Sequence, residues 1–115
     1  MNWKNLDRLE TIEEIKIKSE NQPILIFKHS TRCSISSMAL NRLERDWKSE
    51  LSESSDAYFL DLIKNRDISN AVATTFNIDH QSPQVLIIKY GKCVYHNSHM
   101  GISYREISQH LASVA

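Results

Sequence analysis

The segment Ile24-Leu25-Ile26-Phe27-Lys28-His29, which begins directly after Pro23, constrains this chain more than any other. A short, unbroken apolar run has no alternation between a wet and a dry side, so it suits a strand covered on both faces. Residues 57–63 and 83–90 carry two more such runs. Between them lie stretches whose apolar residues recur at helical spacing, which implies strands packed under helices and not a one-sided sheet.

The remaining elements follow in order. Ile12 and Ile15, with Glu13 and Glu14 in the first turn after Thr11, predict an amphipathic helix to Ser19 that Asn21-Gln22-Pro23 ends. Positions 35, 38, 39, 43 and 47 form an apolar stripe opposite Arg42, Glu44, Arg45 and Lys48, which predicts a second helix. A third runs from Asp67 or Arg66 to Phe76 with Ile68, Val72 and Phe76 on one side. The run from Pro83 to Tyr90, a tight turn at Gly91-Lys92 and the segment Cys93-Val94-Tyr95-His96 read as a hairpin. Residues 102–114 form a closing helix with Ser103 as its N-cap. The order α, β, α, β, α, β, β, α predicts a four-stranded mixed sheet, a central parallel pair plus an antiparallel hairpin, with helices on both faces. That is the layered α/β architecture of the thioredoxin-like fold.

At 115 residues the expectation is one domain, 1–115, with a core large enough to need no staples. Fourteen basic residues balance fourteen acidic ones, so nothing draws the chain electrostatically to nucleic acid or to an anionic membrane. The N-terminal residues lack a basic region followed by an apolar run, and no stretch approaches ~18 consecutive apolar residues. The expectation is a cytoplasmic protein and a monomer. Two cysteines, Cys33 and Cys93, are a poor disulfide framework in a reducing compartment and too few for a thiolate zinc site. His96 and His99 are close in sequence, but no Cys/His spacing matches a metal motif, so no metal is expected.

The segment 29–36, His-Ser-Thr-Arg-Cys-Ser-Ile-Ser, lies where a buried strand passes into a helix. Cys33 therefore falls at the helix N-terminus, where unpaired N–H groups and the positive end of the dipole favour an anion. Free thiols ionise near pH 8.5, and settings of this kind bring cysteines down to roughly 3.5–7.5. Arg32 and Lys28 are candidates to add positive charge. The polar residues before Cys33, and an apolar stripe that starts only at Ile35, argue against a simple core cysteine. His29 and His80 are either surface histidines or tuners of the thiolate.

Residues 27–36, together with His80-Gln81-Ser82-Pro83-Gln84-Val85 and the Gly91-Lys92 hairpin, resemble the YtxJ-type monothiol bacilliredoxins of the thioredoxin-like superfamily. The resemblance implies Cys33 as nucleophile and Pro83, after a cis Ser82-Pro83 bond, as the residue facing it. It also implies a reaction: removal of bacillithiol from S-bacillithiolated client proteins, with bacillithiol or another low-molecular-weight thiol as co-substrate and no other cofactor. Arg32, Ser34, Ser36, Ser82 and Pro83 are the expected contacts for the thiol. Ser34 stands where the family often has proline.

Ser36 holds the place where a dithiol oxidoreductase keeps its resolving cysteine, so an outside thiol must release whatever Cys33 captures. Its hydroxyl either hydrogen-bonds the Cys33 thiolate or turns to backbone or solvent. Cys93, beyond the third strand and roughly 20 Å from the nucleophile at ~3.3 Å per residue, is too far to serve as resolver. The competing reading is a non-catalytic redox sensor or binding module whose Cys33 is oxidised under stress. A third is an adaptor with an inert Cys33.

Overall fold

Every position of the run Ile24–His29 is buried, as a strand without a wet side requires. The computed structural model describes residues 1–114. Its strands are β1 (Trp3–Asn5), β2 (Ile24–His29), β3 (Asp56–Asp61), β4 (Gln84–Lys89) and β5 (Lys92–Ser98). Its helices are α1 (Leu9–Lys18), α2 (Ser34–Asp46), α3 (Ser49–Ser54), α4 (Arg66–Phe76) and α5 (Tyr104–Ser113), with a 3-10 turn at His99–Gly101. The sheet order is β1-β3-β2-β4-β5. β2 runs parallel to β3 and antiparallel to β4, and β4 and β5 form the expected hairpin.

The sheet has five strands, not the four expected. β1 adds to the free edge of β3 in parallel, Trp3 opposite Ala57. Three residues are too few to show a period, so tertiary contacts place this strand. The Trp3 ring meets Phe27 and Phe59 edge-on at 6.0 and 5.9 Å, and Leu6, just beyond it, is fully buried. α3, a Ser- and Glu-rich single turn and a half, was likewise not foreseen.

Strand alternation splits the core in two. Ile24 and Ile26 of β2 join Tyr58, Leu60, Leu86 and Ile88 beneath α1 and α4, which contribute Ile12, Ile15, Ile68, Val72 and Phe76. Leu25 and Phe27 face the other way, with Ala57, Val85 and Ile87, against Ala39 and Leu43 of α2 and Ile107 and Leu111 of α5. Each such side chain contributes about 1.5–3 kcal/mol by leaving water. Truncating Leu43 to Ala would therefore cost about 2–5 kcal/mol through lost burial and the cavity left behind.

The hairpin turn sits one residue earlier than expected, at Tyr90-Gly91 instead of Gly91-Lys92. Both residues are left-handed, with φ of 56° and 71°, the signature of a type I′ turn, which takes glycine at its second central position. Lys92 instead opens β5 opposite Lys89. Ser19 holds the turn: its carbonyl accepts the Tyr90 N–H at 2.9 Å and its Oγ accepts the Gly91 N–H at 2.8 Å. Ser103 caps α5 as expected, accepting the Glu106 N–H at 3.1 Å.

Candidate functional site

Cys33 is the N-cap of α2, extended at φ −113° and ψ 118°, and partly exposed. Its N–H donates to the Ser30 carbonyl at 3.1 Å, and its own carbonyl accepts the Ser37 N–H at 3.1 Å. The turn is thereby closed on both sides of the sulfur. The N–H groups that follow have no helical carbonyl ahead of them, so they form a positive rim beside the thiol. Among the described residues, no hydrogen bond engages the Cys33 sulfur itself.

Ser36 does not serve the thiolate. It is fully buried, and its Oγ accepts the Ser30 N–H at 3.1 Å while meeting His29 Nδ1 at 2.7 Å. With one proton and two lone pairs, the hydroxyl serves the Ser30 N–H and His29 Nδ1 together, the direction of the second bond being set by the imidazole tautomer. The imidazole is wedged beside Phe59, with ring centroids 5.4 Å apart. Burial pushes the His29 pKa below its ordinary value, against weaker opposing pulls from Asp61 and Glu44. His29 therefore acts through Ser36 to hold the loop from residue 30 to 36. Arg32 and Ser34 lie exposed on either side of Cys33.

The Ser82-Pro83 bond is cis. Lys28 of β2 pairs with Gln84 of β4, and continuing that antiparallel register by one residue sets Pro83 across from His29. The proline and the Cys33 turn thus share one end of the sheet. The Pro83 carbonyl accepts the His99 N–H at 3.0 Å, which brings the 3-10 turn and its exposed Met100 to the same end. Ser82 Oγ is buried with no hydrogen-bond partner.

Beneath this end lies Lys28, expected as a source of positive charge for the thiolate, whose ammonium is instead committed to α4 and the loop before β4. Lys28 is completely buried, and its Nζ donates to the Ser69 carbonyl and to His80 Nδ1, each at 3.2 Å. Burial without a carboxylate partner lowers its pKa to about 8. The signal was present: a lysine inside a run covered on both faces must find partners there.

Cys93 lies opposite Ile88, beside an irregularity in the hairpin ladder. That is five residues along β4 from Pro83, about 17 Å. Its thiol donates to the Tyr95 carbonyl at 3.3 Å, and burial pushes its pKa up. Among the described residues, no group of three His, Cys, Asp or Glu side chains is placed to hold a metal, and no helix is long and apolar enough to cross a membrane.

A βαβ unit, a hairpin, a cysteine capping the helix after the central strand and a cis-proline at the adjacent strand define a thioredoxin-fold thiol redox protein. The solved structures agree on the fold. The Malassezia sympodialis thioredoxin superposes with a TM-score of 0.77 at 11% identity, covering 98% of this chain and 90% of that one. The Fasciola hepatica thioredoxin gives 0.72 at 15% identity, covering 97% and 99%. A thioredoxin-fold structure described as an oxidoreductase gives 0.73 at 28% identity, covering 91% and 89%. Residues 4–107 match the family model described as monothiol bacilliredoxin BrxC, and the chain belongs to that family.

Proposed function

We propose that the protein is a monothiol thiol–disulfide oxidoreductase that strips bacillithiol from S-bacillithiolated proteins through Cys33. The observation that carries this reading is the pairing of a partly exposed, helix-capping Cys33 with a serine at position 36 whose hydroxyl is committed to Ser30 and His29. The Cys33 thiolate attacks the bacillithiol sulfur of the mixed disulfide. A new S–S bond forms, the old one breaks, and the client leaves as thiolate and takes up a proton. No net oxidation occurs in this step. A second thiol then attacks the bacillithiol sulfur of the Cys33–S–S–bacillithiol disulfide, so that a new S–S bond joins the second thiol to bacillithiol and Cys33 leaves as thiolate. Membership of the monothiol bacilliredoxin family supports the choice of bacillithiol, and a reducing, cytoplasmic setting follows from the need for that second thiol.

In this reading Arg32 and Ser34, exposed on either side of Cys33, contact the captured thiol, with Pro83 as the wall opposite; Ser82, whose Oγ is buried, contributes through its backbone. Intact-mass time courses with a bacillithiol-modified client test the reading. The client should lose the bacillithiol mass while wild-type protein gains it and Cys33→Ser does not. If neither mass changes although Cys33 alkylates readily, the sensor or binding-module reading replaces this one.

A further inference from the structure

We propose that Lys28 and His80 form a proton-dependent latch that holds the Pro83 loop, residues 79–83, against the strand leading into Cys33, so that protonating His80 loosens the loop and slows exchange. The inference rests on the reading of Cys33 as the exchanging thiol, but its structural half stands independently. An ammonium only donates hydrogen bonds. The 3.2 Å contact from Lys28 Nζ therefore requires an unprotonated Nδ1 on His80, and Ser69 Oγ at 3.3 Å shares the same nitrogen. One contact thus joins β2, α4 and the loop before β4.

The surroundings make that nitrogen sensitive. Partial burial disfavours the imidazolium most, and Lys28 from β2 and Arg66 from α4 add positive charge beside it. Asp79 adjoins it on the loop, where the Asp79 carbonyl accepts the Gln84 Nε2–H at 3.0 Å. From β4, Gln84 presents a buried Oε1 with no partner. Since Lys28 ionises at about 8 and His80 below its ordinary value, a proton taken up in mild acid adds a second cation to a pair already charged. The hydrogen bond then loses its acceptor and the two groups repel. His80 is otherwise exposed, so solvent protons reach it.

The loop is the part free to respond. Lys28 is fixed in a central strand, whereas residues 79–83 belong to no helix or strand. The latch also explains why a buried lysine without a carboxylate is present: replaced by a neutral chain of similar length, it would leave a more stable protein with a looser loop.

Two measurements test the proposal. In an NMR titration between about pH 5 and 8, where an imidazole changes charge, the amides of Gln81, Ser82 and Gln84 should shift with the His80 ring. Over the same range, Cys33 exchange with a small aromatic disulfide, normalised to the thiolate fraction, should fall by about tenfold per pH unit below the His80 pKa. His80→Asn offers an acceptor that does not titrate and should remove that fall. Lys28→Met should melt at a higher temperature yet exchange more slowly, a combination that a purely structural lysine does not give. Loop amides that ignore His80, or a His80→Asn profile superposing on the wild type, would overturn the latch. Failure of Cys33 to exchange with any disulfide would instead remove the proposed function, and the NMR arm would still decide whether the latch exists.

Discussion

The two cysteines of this chain are the same side chain in opposite circumstances. Cys33 caps a helix at the exposed end of the sheet, with a turn tied on both sides of it and, among the described residues, no hydrogen bond to its sulfur. Cys93 sits within a hairpin, packed against the core beneath α1 and α4, with its thiol proton given to the Tyr95 carbonyl. Both are half-buried, so exposure does not separate them. What separates them is the setting of the sulfur: that of Cys33 stands at a helix N-terminus, whereas desolvation in a strand pushes the Cys93 thiol up.

The sharpest way to break this contrast is to remove each sulfur in turn. Cys33→Ser should abolish disulfide exchange, and Cys93→Ser should leave its rate unchanged, as read from intact mass with a mixed-disulfide substrate. Alkylation separates the pair next. With iodoacetamide near neutral pH, peptide mapping should find Cys33 labelled first. Because burial raises the Cys93 pKa, its labelling should climb only as the pH becomes alkaline. Equal rates at neutral pH would sink the contrast.

Smaller effects act on the supports of each cysteine. Ser36→Ala strips the buried Ser30 N–H and His29 Nδ1 of their partner and should lower unfolding stability by about 1–3 kcal/mol in urea melts. It should slow Cys33 as well, since the turn loses its tie. His29 and His80 both have folded pKa values below the ordinary histidine value. The unfolded chain therefore binds protons first as the pH falls, and stability, fully present above about pH 6.5, declines through mild acid. Thermal melts from neutral to mildly acidic pH should show this drop, and a flat profile would contradict the lowered pKa values of the two imidazoles. At the other cysteine, Tyr90 occupies a left-handed position in the hairpin turn. Tyr90→Asn should stabilise that hairpin by about 0.5 kcal/mol in the same urea melts, because asparagine tolerates this conformation.

Much of this was legible in the sequence where a signal is local and repeated. The β2 run, the span of α2, the α4 stripe and the Ser103 cap match the structure within a residue or two, because period and capping chemistry are properties of neighbouring residues. Of the expected α2 stripe, though, Ala39 and Leu43 are buried while Ile35 and Met38 stand exposed near the Cys33 end of the helix. β1 escaped because three residues have no period and are held by Phe27 and Phe59, far away in the chain. The turn slipped by one because glycine at 91 is equally readable as the first or second central residue, and only the pairing of Lys89 with Lys92 distinguishes the two.

The candidate site divides in the same way. That Cys33 opens a helix after a buried strand, that position 36 carries no second thiol, and that Cys93 lies a strand's length away all follow from residue order and the fixed rise of a strand. Where the Ser36 hydroxyl goes, and that Lys28 reaches Ser69 and His80, was decided only by the packed structure. A side chain's partners within a covered sheet come from elements 7, 41 and 52 residues distant. A buried polar group must satisfy its hydrogen bonds with whatever the fold brings beside it, and only the assembled sheet determines which groups those are.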